Sequence, residues 1–167
     1  EGEWQRTLSE WSQGSDEAAA SEPSKCVQEM FSQTAARYRD KTAIIYKDKQ
    51  YSYGELEDRA NTIANYLIAN GAQKGSLVGI LAKDSFHVIS SIIGILKAGC
   101  VFVPFDRQLP QQRLAAMVSL VAPEWFIIES RFWPILSSVT VDAAPKATVI
   151  CVDGDAVTNG EQHLVQA

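Results

Sequence analysis

A phosphate-cradling loop needs glycines that let successive backbone amides converge, then a lysine and a hydroxyl residue where a helix opens. Two stretches invite the comparison, Gly94-Ile95-Leu96-Lys97-Ala98-Gly99 and Gly71-Ala72-Gln73-Lys74-Gly75. In the first, no Lys-Ser or Lys-Thr pair follows. Both lie where a helical pattern ends, so they read as a helix cap and a turn. Nucleophilic catalysis needs a Ser or Cys, a base and an orienting acid. His87 is the candidate base, but its spacing puts it on the polar side of a helix carrying Val88, Ile92 and Ile95, which predicts a solvated imidazole; no Gly-x-Ser-x-Gly turn accompanies it. Cys26, Cys100 and Cys151, with His87 and His163, stand too far apart for a zinc site, and their odd number and wide spacing suit reduced, buried thiols. Two acids stand out. Glu55 is explained by helix capping. Asp106 follows an apolar run, Cys100 to Val103, at its carboxyl end, the edge where open α/β sheets bind ligands, although turn acids are common there.

The elements that would position these groups alternate. Ser24 can cap a helix whose apolar stripe is Val27, Met30, Phe31, Thr34 and Tyr38. Thr42 to Tyr46 and Gln50 to Ser52 form strands around a Lys47-Asp48-Lys49 turn. Ser52-Tyr53-Gly54-Glu55 has the capping-box form and opens a helix with the stripe Leu56, Ala60, Ile63, Ala64, Leu67 and Ile68, closed by Gly71. A strand at Leu77 to Ala82, a helix at Val88 to Lys97 and a strand at Cys100 to Val103 follow. Pro110 starts a helix through Val121, Trp125 to Ile128 is a strand, Phe132 to Val139 a helix, and Thr148 to Val152 a last strand, after which Asp153 to Ala167 reads as a loop. Strands that read as continuous apolar runs are buried on both faces. The expected class is therefore α/β: a mainly parallel sheet with helices on both faces.

The chain has 167 residues, of which 46% are hydrophobic and 21% charged, which suits one folded domain. Residues 1–24 carry six acids against Arg6, a charge of −5 that equals the whole chain's, so residues 25–167 hold 14 acids and 14 bases and are neutral. Without a basic patch, nucleic acid is an unsuitable partner. No apolar run reaches the roughly 18 residues of a membrane span, and the opening residues lack a secretory pattern, which together predict a cytoplasmic protein without a membrane partner. Residues 12–24 are small, polar and acidic, a flexible linker. Before it, Trp4, Leu8 and Trp11 recur at helical spacing, so residues 1–11 read as a short helix with one apolar edge.

Tyr51-Ser52-Tyr53-Gly54-Glu55-Leu56 resembles the first core motif of nonribosomal peptide synthetase adenylation domains. Leu96-Lys97-Ala98-Gly99-Cys100-Val101-Phe102-Val103-Pro104-Phe105-Asp106 resembles the second. Leu109-Pro110 with Arg113-Leu114 is similar to the stretch after it. Arg107 replaces a usual proline, Leu109 a usual aromatic, and Asp84 a frequent basic residue. Thr7 to Ser12 resembles the linker from a preceding condensation domain, with Leu8 and Trp11 as anchors. The resemblance implies the opening portion, residues 25–167, of an adenylate-forming enzyme's large subdomain. It implies ATP and Mg2+ for the complete domain and phosphopantetheine on a partner carrier domain, with condensation and carrier domains as neighbours. The family's phosphate loop, amino-acid pocket, ribose-binding aspartate and lysine fall later in its sequence. No catalytic, cofactor-binding or metal residue can therefore be assigned here, and Tyr51, Ser52, Tyr53, Glu55, Leu56, Leu96, Lys97, Ala98, Gly99, Pro104 and Asp106 are carried over as structural motif residues.

Three readings follow: an inactive opening segment of an amino-acid-activating module, truncated relative to it; a natural non-catalytic remnant used for packing or docking; and the start of a fatty- or aryl-acid-activating ligase. The linker resemblance favours the first over the third.

Overall fold

The computed structural model describes residues 25–144, 146–153 and 164–166. The expected linker helix at 1–11, the linker at 12–24, the anchors Leu8 and Trp11 and the Ser24 cap lie outside the described residues. Helix α1 (Val27–Arg37) leads into the hairpin β1 (Thr42–Tyr46) and β2 (Lys49–Ser52). Then follow α2 (Tyr53–Ala69), β3 (Leu77–Leu81), α3 (Ser85–Lys97), β4 (Val101–Pro104), α4 (Gln111–Val121), β5 (Trp125–Ile128), a 3-10 turn at Ser130–Phe132, α5 (Trp133–Ala143), β6 (Thr148–Cys151) and β7 (Leu164–Gln166). Strands β3 to β7 form one sheet in the order β4-β3-β5-β6-β7, with every pair parallel.

Alternate residues of a strand point to opposite faces, and here both faces are apolar. Val78, Ile80, Trp125, Ile127 and Ile150 meet Ile63 and Leu67 of α2 and Ile95 of α3. Leu81, Phe126, Ile128, Val149 and Cys151 meet Leu114 and Val118 of α4 and Leu136 and Val139 of α5. The sheet thus lies between two helical layers, as the apolar runs predict. Each fully buried Leu, Ile or Phe contributes about 1.5–3 kcal/mol. A smaller cluster of Ile44, Leu56, Ala60 and Ile93 seats the hairpin on α2 and α3. Those two helices cross so closely at Gly94 that a Cβ there would stand 2.8 Å from the Ala60 carbonyl oxygen and 2.9 Å from Ile63 Cβ, which leaves no room for alanine.

Local chemistry sets the helix ends. Ser52 Oγ accepts the Glu55 amide (3.1 Å), while Glu55 Oε2 accepts the Ser52 amide (2.7 Å), the reciprocal pair that the sequence predicts. The Ser52 amide, and the Ser52 hydroxyl that also donates to Oε2 (2.9 Å), hold the Glu55 carboxyl below its usual range. At the end of α3, the Cys100 amide reaches the Ile95 carbonyl and the Gly99 amide the Leu96 carbonyl, both at 3.0 Å, with Gly99 at φ +74. This left-handed position favours glycine.

Several expectations are corrected. Helix α3 begins at Ser85 rather than Val88, because Asp84 Oδ1 accepts the Phe86 amide (2.9 Å) and caps it. Strand β4 runs Val101–Pro104 rather than from Cys100, and α5 extends to Ala143. The terminal loop contains β7, paired with β6. On α1, the contact face is set by Ala35 and by Phe31, whose ring meets Tyr53 at 6.1 Å, so Val27 and Met30 stay exposed despite their place in the expected stripe.

Candidate functional site

The chain leaves β3 toward β4 on one side and returns for β5 on the other. The carboxyl ends of β3 and β5 therefore flank the switch point, the crevice in which open parallel sheets take ligands. In this molecule a side chain occupies it. Glu129, the residue after β5, is 2% exposed. Its Oε1 accepts the amides of Lys83 (2.7 Å) and Asp84 (2.6 Å) at the opening of α3, and its Oε2 pairs with the Arg131 guanidinium. His87 Nδ1 lies 3.6 Å from the same carboxylate, buried and without a hydrogen-bond partner. One strand further, Asp153 accepts the Ser130 amide (2.9 Å) and the Ser130 hydroxyl (2.8 Å). Arg59 of α2 donates to the Val152 carbonyl.

His87 is thus half-buried rather than solvated. Burial pushes its pKa below the ordinary value, Arg59 and Arg131 push the same way, and Asp84 and Asp153 oppose them. An imidazole beside a carboxylate has two parts of a catalytic triad, but the hydroxyls of Ser90 and Ser91 donate to the His87 backbone carbonyl (3.2 and 2.6 Å), so neither serves as a nucleophile for the ring. Cys100 and Cys151 are buried, and burial raises both thiols, Cys151 to about 11, which keeps them protonated and inert. Cys26 is exposed, contrary to the expectation of a buried thiol.

The motif residues have structural surroundings. Tyr51 stacks on Phe86 with ring centroids 4.1 Å apart, Leu56 is buried in the core, and Leu96 is half-buried. Ala98 caps α3, and Pro104 closes β4 at the sheet edge, where a residue without an amide proton is tolerated. Lys97 Nζ reaches Glu57 Oε1 (2.5 Å) and Asn61 Oδ1 (2.7 Å), bracing α3 against α2. Asp106 is exposed, and its Oδ1 accepts the Gln108 amide (2.9 Å) within a turn. Sequence reasoning missed Glu129. The available signal was an acid directly behind the wholly apolar run Trp125–Ile128, where a carboxylate must either leave the core or find donors.

The described residues do not fit ATP and its metal ion. The convergent amides at the switch point already hold Glu129. Among the described residues, no group of three His, Cys, Asp or Glu side chains could hold a metal ion, and no helix is long and apolar enough to cross a membrane.

Comparison with known proteins agrees with this architecture. Two linear gramicidin synthase proteins of Brevibacillus parabrevis are similar to this chain. One is 37% identical over 134 residues, covering 80% of this chain and 2% of that protein. The other is 35% identical over 155 residues, covering 93% and 3%. This chain thus spans a few hundredths of the length of the curated relatives it matches. Among solved structures, a nonribosomal peptide synthetase with α-methyl-L-serine-AMP bound superimposes with a TM-score of 0.70 at 27% identity, covering 87% of this chain and 16% of that one. An anthranilate CoA ligase in complex with anthranoyl-AMP shares the fold, with a TM-score of 0.72 at 21% identity over 82% of this chain and 27% of that one. The resemblance to synthetase adenylation domains, and the placement of the fold in the large subdomain of adenylate-forming enzymes, are borne out. The family described as AMP-binding enzyme matches residues 31–166, and with the sheet, both helical layers and the motif residues all inside that span, the chain belongs to that family.

Proposed function

We propose that this chain is the scaffold portion of an amino-acid-activating module of a nonribosomal peptide synthetase. It builds the sheet and helical layers on which the rest of an adenylation domain is assembled. The complete domain uses ATP and Mg2+ to form an aminoacyl-adenylate, and a neighbouring carrier domain's phosphopantetheine thiol receives the amino acid. Residues 1–11 join a preceding condensation domain through Leu8 and Trp11, residues 12–24 are the flexible connection, and the module works in the cytoplasm.

The observation that carries this reading is the switch point: the crevice suited to an anion is filled by the chain's own Glu129, which supports a phosphate site built by another part of the domain. The similarity to peptide synthases at 35% and 37% identity supports an amino acid as the substrate class. The test is ATP-pyrophosphate exchange with a panel of amino acids. Residues 1–167 alone should give no exchange above background, whereas a polypeptide carrying the rest of the adenylation domain should give exchange with one amino acid. Clear exchange by residues 1–167 would overturn the assignment.

A further inference from the structure

The carboxyl edge of the sheet repeats one device on neighbouring strands. Behind β6, Asp153 accepts the amide and hydroxyl of Ser130, which stands in the loop leaving β5. Behind β5, Glu129 accepts the amides of Lys83 and Asp84, which stand in the loop leaving β3. In each case an acid at the end of one strand holds the loop that leaves the next. The two links share a pivot, because Ser130 directly follows Glu129 and starts the 3-10 turn in which Arg131 pairs with Glu129 Oε2. Charge-assisted bonds of this kind are about twice as strong as neutral ones. Glu129 Oε1 is shared by two amides of the β3 exit, at 2.7 and 2.6 Å, so a shift of the Glu129 backbone is transmitted to both of them.

We infer that Asp153, Ser130 and Glu129 form a carboxylate relay that couples the end of β6 to the start of α3, so that a change at Asp153 is felt at Lys83 and Asp84, two strands away. Each carboxylate holds donors at the exit of the neighbouring strand, and residues 83–84, 129–130 and 153 therefore move as one body or not at all. The inference is independent of the proposed function, since it concerns the mechanics of the edge and not the reaction.

The experiment is amide hydrogen exchange by NMR on the full chain, comparing the wild type with Asp153→Ala and Asp153→Asn. Asparagine keeps one acceptor oxygen and serves as the conservative variant. Asp153→Ala should speed exchange about tenfold at Ser130 and also at Lys83 and Asp84, with Asp153→Asn in between, while the Phe126 and Ile127 amides in the strand interior keep their rates. Faster exchange at Ser130 with unchanged Lys83 and Asp84 would overturn the relay. Equal acceleration at Phe126 and Ile127 would also overturn it, by showing a general loss of stability. If the alanine variant does not fold, the asparagine variant is read by the same criteria.

Discussion

Phe126→Ala should lower the unfolding free energy by about 3–5 kcal/mol, the largest effect expected of a single truncation in this chain. The ring is fully buried at the centre of the sheet. In the parallel register Phe126 stands opposite Gly79, and a Cβ on Gly79 would lie 2.6 Å from the ring, so the glycine provides the space that the phenyl fills. On the same face Phe105 packs against it, with centroids 5.8 Å apart. Deleting the ring opens a cavity bounded by strand backbone, which cannot collapse as a loop could. A domain with about 5–15 kcal/mol of total stability would lose a large share of it. Urea denaturation reads the loss as a shift in midpoint, and Leu120→Ala, at a side chain 87% exposed, should change stability by less than about 0.5 kcal/mol. A loss below about 1 kcal/mol for Phe126→Ala would contradict the two-layer packing.

Lys97→Met should cost about 2–4 kcal/mol, although it keeps most of the side-chain volume. Lys97 and Glu57 are only 14% and 15% exposed, so removing the ammonium leaves a carboxylate short of donors between two helices. Glu57 Oε2 is buried without a partner even in the intact pair, and the Lys97 contact to Oε1 is what keeps that charge tolerable. The penalty belongs to the stranded charge. The double variant Glu57→Gln with Lys97→Met should therefore recover at least half of it, a coupling that a double-mutant cycle measures directly. Additive losses would mean that Lys97 acts through packing alone.

Lys97 illustrates what the sequence made legible. The apolar spacing before it marks Lys97 as the end of a helical pattern, and the helix does end there, directly before the Ala98 cap. Its partners, 36 and 40 residues away, depend on how α2 crosses α3 and have no local signature. The capping box at Ser52 and Glu55 was readable because both partners lie within one turn. The parallel class was readable because strands buried on both faces must be continuously apolar. Glu129 was not readable as a site. Its donors arrive from the loop after β3, and only the strand order, which brings β5 beside β3, puts them in reach. His87 was misplaced for a related reason: helical periodicity marks the side that faces away from the sheet, but Glu129, behind β5, comes within 3.6 Å of the ring at the first turn of α3. Val27 and Met30 show the converse, an apolar spacing that stays exposed among the described residues.

The switch point is where the account is most exposed. Titrating residues 1–167 with ATP and Mg2+ while following backbone amide resonances addresses it directly. With Glu129 seated on the Lys83 and Asp84 amides, those two resonances and that of Ser130 should stay in place up to millimolar nucleotide. Saturable shifts at Lys83 and Asp84 would show that nucleotide displaces Glu129 and that this portion of the chain binds it without the rest of the domain.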